Sequence, residues 1–275
     1  MTLASGSAVL RHAGIVLLTI AIGVSTLTFS WPIGEPSDPR LFREFAGPVL
    51  YLSDAVLLTG LTLWAMSWGL RGRPPLRIGP SYVAVPMTVL FTVGLVSTLW
   101  AIDNRLALLN GLRLGALFAM YVVFVNEYQR AGLIVAGVLI AFGMLHAAIA
   151  IAQIVNDDPL GLTMLGEIVD LPPLSYSIKQ GRPPGLGFNP NPVGMLLAVV
   201  SMFCFAVFLQ SRRSFSARAV LIFPFLVATV GLIATKSRWE IVCWAAAVGL
   251  ITFLALRSDT TNRPNLRRSP RRPGR

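Results

Sequence analysis

Long apolar stretches recur along this chain, and they constrain its fold more than any other feature. Eight of them, at 12–31, 47–69, 79–100, 106–125, 131–155, 191–210, 218–235 and 239–256, reach the roughly 17 to 25 residues needed to cross a hydrocarbon core about 30 Å thick. Inside a bilayer each backbone N–H and C=O must be paired within the protein, so single stretches of this length fold as helices. The fold class expected is all-α: a polytopic integral membrane protein with about eight transmembrane helices. Composition agrees, since a chain that is 55% hydrophobic and only 13% charged, with mean hydropathy +0.69, lies outside the range of ordinary soluble domains.

The charge pattern orients the expected helices. With the N-terminus inside, 15 of the 23 lysines and arginines fall on the cytoplasmic side: Arg11, then Arg71, Arg73 and Arg77, then Arg130, then Arg212, Arg213 and Arg218, then the tail. Seven fall outside and Arg113 lies within a span. The bias predicts an N-in/C-in topology. The net charge of +11 then reflects contact with anionic membrane lipids, and with no basic soluble domain to hold a duplex, no nucleic acid partner is expected. The first span runs too far for a cleaved signal peptide. Residues 1–256 read as one helical domain with an outer loop at 156–190, and 257–275 as a basic, disordered cytoplasmic tail. Within the outer loop, 160–171 suits a short interfacial helix.

Ionisable and amide side chains within apolar spans are costly and therefore informative. Asp54, Arg113, His146, Gln153 and Glu240 are the cases here. Arg113 and Asn110 share a helix face, and the arginine either snorkels outward or holds an anion. Asp54 suits pairing with an arginine. His146 and Gln153, seven apart, share another face, where a histidine is either a packing residue or a catalytic one. Cys204 and Cys243 both lie in spans and read as small apolar residues, not a disulfide or a metal pair.

The segment GRPPGLGFNPN, 181–191, sets Arg182 and a Gly/Pro-rich turn before a long apolar stretch. Asn189 or Asn191 can cap the helix that follows, and Gly185 suits the turn. A helix start beside an arginine favours phosphate or diphosphate, although the same residues fit a plain cap with a snorkelling arginine. A second short outer turn carries Lys236, Ser237 and Arg238. Arg182 and Arg238, with Arg113 approaching from within the bilayer, make an expected site for a lipid-linked diphosphate, supported by Gly185, Asn189, Asn191 and Ser237.

Three stretches together resemble the O-antigen ligase and O-antigen polymerase superfamily of membrane glycosyltransferases. They are VSTLWAIDNRLALLNGLRLGALF at 96–118, GRPPGLGFNPNPVGMLL at 181–197 and IATKSRWEIVCW at 233–244. The resemblance covers roughly 80–256, close to the family's front half; the family continues into a large periplasmic loop whose histidine activates the acceptor, so the chain reads as C-terminally truncated. What the resemblance implies is transfer of a glycan from an undecaprenyl-diphosphate carrier to an acceptor glycan or glycolipid at the periplasmic face of the bacterial inner membrane, with no metal or other cofactor. Arg182 and Arg238 would hold the diphosphate. The chain differs from the family at Lys236, Trp239 and Glu240, and Glu240, Asp170 and His146 stand as alternatives for a base. A transporter-like protein for bicarbonate or another small anion, with Asp54, Arg113 and His146 along its path, is the second reading, and an inactive truncated family member the third.

Overall fold

The structure, a computed structural model, describes residues 3–27, 29–33, 48–162, 178, 181–187, 189–210 and 215–261. Most of the expected interfacial helix at 160–171, with Asp170, lies outside the described residues, as do Arg212, Arg213 and the tail from 262. Seven α-helices are present among the described residues: α1 (Leu3–Val24), α2 (Leu52–Leu70), α3 (Ser81–Val96), α4 (Asn104–Asn156), α5 (Pro190–Gln210), α6 (Phe215–Ala234) and α7 (Arg238–Thr261). Five apolar helical stretches are long enough to cross a membrane, namely Ser5–Val24, Ser81–Leu99, Asn104–Asn156, Pro190–Leu209 and Arg238–Arg257, and Val220–Ala234 is a shorter one. The chain is thus helical, with the span lengths and composition of a membrane protein. It divides into two compact units between Phe142 and Gly143, inside α4.

In the first unit α1 packs along α2, and Ile15, Leu18, Ala21, Leu57, Trp64 and Val123 form a buried core from α1, α2 and α4. The expected first span at 12–31 is displaced toward the N-terminus. Helix α1 stops at Val24, where Ser25 and Thr26 donate their hydroxyls to the carbonyls of Ile22 and Gly23, satisfying acceptors that the helix end leaves open. Ser30–Pro32 (β1) then pairs antiparallel with Val49–Tyr51 (β2), a two-stranded element absent from the all-helical expectation. Pro32 and Pro48, which cannot donate to a helix, flank this pairing. Helix α2 begins after it, with Asp54 accepting the Tyr51 N–H at 3.0 Å.

The spans expected at 106–125 and 131–155 are one continuous helix, α4. Residues 126–130, NEYQR, were expected as a loop because they are polar. They contain neither glycine nor proline, and helical partners absorb their polarity. Asn126 donates to Val122 O at 2.7 Å, and Glu127 is buried in a bidentate pair with Arg11, both bonds 2.7 Å, while also accepting from the Trp64 indole at 3.1 Å. One carboxylate therefore ties α1, α2 and α4 together.

In the second unit α5 packs against α6 and α7, around a core that includes Leu197, Cys204, Ala228 and Leu232. A polar chain links the three helices: the Ser201 and Thr229 hydroxyls share a bond of 2.8 Å, and the Trp244 indole donates to Ser201 Oγ at 3.0 Å. Bonds of this kind hold helices together where lipid supplies no hydrophobic drive. Cys204 is buried and Cys243 exposed on α7, and both are free thiols. Helix α7 runs to Thr261, past the boundary expected at 257. Its apolar surface, with Val242, Leu250, Phe253 and Leu256 exposed, suits hydrocarbon contact.

Candidate functional site

The turn at 181–187 is held from below by α4. Gln153 donates its amide to Gly185 O at 2.9 Å and accepts the Gly185 N–H at 3.0 Å, while the Leu186 N–H points to His146 Nδ1 at 3.4 Å. Both side chains are fully buried. Their spacing of seven puts them on one face, as the sequence leads one to expect, and they act as a clamp for the turn's backbone. Gly185 is required at this point: its φ is +60°, and a Cβ would lie 3.0 Å from His146 Nδ1. Pro183, Pro184 and Leu186 are also buried, and the buried Gly185 N–H and C=O and the Leu186 N–H find their partners on α4.

The clamp sets Arg182 at the start of α5. Asn189 accepts the Asn191 N–H at 2.9 Å, capping the helix as anticipated. Asn191 Oδ1 in turn accepts from Arg182 Nη2 at 3.0 Å. The buried Ser237 hydroxyl lies 3.1 Å from Pro190 O and 3.4 Å from Asn191 Oδ1, which brings the second outer turn against the first. Contact this close needs Gly194, where a Cβ would come within 2.7 Å of Ser237 Oγ. Ser237 O also accepts the Ile241 N–H, opening α7 directly after Lys236, whose φ is +50°.

The two turns border one open cavity of about 980 Å³, lined by Arg182, Asn191, Ile233, Lys236, Arg238, Trp239, Glu240 and Ile241. Three cationic side chains and one carboxylate border it. Such a cavity, adjoining the N-terminal turns of α5 and α7, attracts anions through both charge and helix dipole. Lys236, which the sequence places in one outer turn with Ser237 and Arg238, lines the cavity, and so does Trp239, which the sequence marks only as a departure from the family. The signal for Trp239 was its position next to Arg238 in the first turn of α7.

Arg113 has a different setting, in the first unit. Its Nη2 donates to Asp54 Oδ2 at 2.6 Å and also to Val49 O, its Nε lies 3.1 Å from both Asp54 oxygens, and Nη1 donates to Asn110 at 3.1 Å. The guanidinium also stacks over the Tyr51 ring at 4.8 Å. The partner left open for Asp54 is therefore Arg113. The two border a smaller cavity of about 320 Å³ with Tyr51, Leu57, Leu117 and Met120. Arg182 and Arg238 are brought together as anticipated, whereas Arg113 is not among the residues lining their cavity.

No family model, no curated protein and no solved structure matches this chain.

Proposed function

We propose that the protein binds an undecaprenyl-diphosphate-linked glycan in the cavity between the 181–187 and 235–238 turns, as a donor for transfer to an acceptor glycan or glycolipid at the outer face of a bacterial inner membrane. This is an activity of the O-antigen ligase and polymerase type. The observation that carries the reading is the Arg182–Asn191–Ser237 chain of contacts, which fixes Arg182 beside Lys236 and Arg238 around one cavity. A diphosphate needs several charge-assisted donors, and guanidinium groups provide them in bidentate form. When the glycosidic bond to the diphosphate breaks, negative charge grows on the leaving group. Cations fixed beforehand stabilise that charge more than they stabilise the bound donor. Of the three carboxylate and imidazole alternatives for a base, Glu240 lines the cavity, His146 is committed to the Leu186 turn, and Asp170 lies outside the described residues.

The test is glycan transfer and donor binding with purified protein, lipid-linked donor and acceptor. Wild type is expected to bind the donor, and Arg182→Ala and Arg238→Ala to bind it poorly; unchanged binding in both variants refutes the site. The transport reading rests on the Asp54 and Arg113 pair beside a cavity. It predicts anion flux into liposomes that depends on those two residues and is indifferent to lipid-linked donor.

A further inference from the structure

Charge alternation along the sequence placed Arg11, Arg71 and Arg130 in three separate cytoplasmic positions. The structure gathers all three around one carboxylate in the first unit. Glu127, 3% exposed, accepts two hydrogen bonds from Arg11 and one from Trp64. Arg130 Nη1 reaches only 3.6 Å from it, with a side chain 63% exposed, and Arg71 uses its Nε on Ser67 O at 3.2 Å. Two guanidinium groups thus lie within 3.6 Å of one buried carboxylate, with a third, Arg71, in electrostatic reach of it, so positive charge exceeds negative in this cluster. Burial first, and then the charges of Arg11 and Arg130, lower the Arg71 pKa from its ordinary value against the opposing pull of Glu127, as expected of a cation among like charges. Aromatic side chains sit at the same level. Tyr128 is exposed beside Glu127, and the Trp68 indole donates to Pro74 O one turn before Arg71. Tyrosine and tryptophan collect where a membrane protein meets lipid head groups.

We propose that Arg71 and Arg130, braced by the Arg11–Glu127 pair, form a binding site for the phosphate of an anionic phospholipid head group. Basic clusters between transmembrane helices on the cytoplasmic side recognise such head groups through charge-assisted hydrogen bonds. Arg11 and Glu127 hold the helices together, and Arg71 and Arg130 present the donors that remain. This site is independent of the donor cavity, whose residues all belong to the second unit.

The experiment uses full-length protein in uncharged detergent, titrated with phosphatidylglycerol, phosphatidylcholine or inorganic phosphate, with native mass spectrometry and thermal unfolding as readouts. Phosphatidylglycerol is expected to bind and to raise the unfolding temperature, while phosphatidylcholine does neither. Arg71→Gln/Arg130→Gln, which keeps the Arg11–Glu127 pair, is expected to weaken phosphatidylglycerol binding roughly 10- to 30-fold. The charge-matched Arg73→Gln/Arg105→Gln, both exposed positions, is expected to weaken it less than about threefold. Protection by inorganic phosphate alone, lost in the first variant, would assign the same site to a free phosphate. Equal weakening in the two double variants, or none in either, would overturn the proposal and leave the cluster as a helix clamp only.

Discussion

The same residue type does opposite work in the two units. In the first, Arg11 and Arg113 each face a carboxylate, Glu127 and Asp54, in short multidentate pairs, and the result is a fixed helix arrangement. In the second, Arg182, Lys236 and Arg238 border one cavity together with Glu240, so the same cationic groups face open space. An arginine in a membrane protein is therefore not by itself a sign of ligand binding. Its surroundings decide the matter, because a guanidinium held in a multidentate carboxylate pair has little left to offer an anion while cations that border open space can be reached by one.

The largest effects should follow from breaking a matched pair. Asp54→Asn strands the half-buried Arg113 guanidinium, and Arg11→Ala takes from buried Glu127 its bidentate partner and leaves it only the longer Arg130 ion pair; each is expected to cost about 3 kcal/mol of stability, read by unfolding in detergent. Next come Arg182→Ala and Arg238→Ala, each expected to weaken donor binding about 10- to 100-fold, while unfolding midpoints stay close to wild type. If Arg182→Ala proved as destabilising as Arg11→Ala, the contrast between the units would fail, and the cavity would be a structural element. Gln153→Leu strands both polar backbone groups of Gly185, for about 2 to 3 kcal/mol. It is also expected to weaken donor binding indirectly, by releasing the turn that carries Arg182. The smallest effect is Ser237→Ala, about 1 kcal/mol from a lost hydrogen bond, with donor affinity reduced only a few-fold.

Much of this arrangement is legible in the sequence, where the chemistry is local. The start of α5 lies where Asn189, Pro190 and Pro192 suggest it, because capping and proline geometry act within a few residues. His146 and Gln153 share a face because helical periodicity dictates it. Long-range pairing is the part that stayed hidden. Nothing in the local pattern around Asp54 distinguishes Arg113 from other arginines as its partner, and the choice is made by β2 delivering Tyr51 and Val49 next to α4. Glu127 was passed over for a related reason. A polar pentapeptide between apolar stretches resembles a loop, and only its contact with Arg11, 116 residues away, shows that its polarity faces a partner. The β1–β2 pairing was hidden in the same way, since Ser30–Pro32 and Val49–Tyr51 are each too short to register as strands against long apolar neighbours.

The proposed diphosphate site is the cavity lined by Arg182, Lys236 and Arg238 in the second unit, and not the carboxylate-paired arginines of the first. It is tested most directly by measuring the affinity of undecaprenyl-diphosphate-linked glycan for wild type, for Arg182→Ala/Arg238→Ala, and for Asp54→Asn/Arg113→Gln, which removes both halves of a pair and leaves no stranded charge. The account predicts near-complete loss of binding in the first variant and wild-type affinity in the second. Retained binding in Arg182→Ala/Arg238→Ala, or its loss in Asp54→Asn/Arg113→Gln with the fold intact, would contradict it.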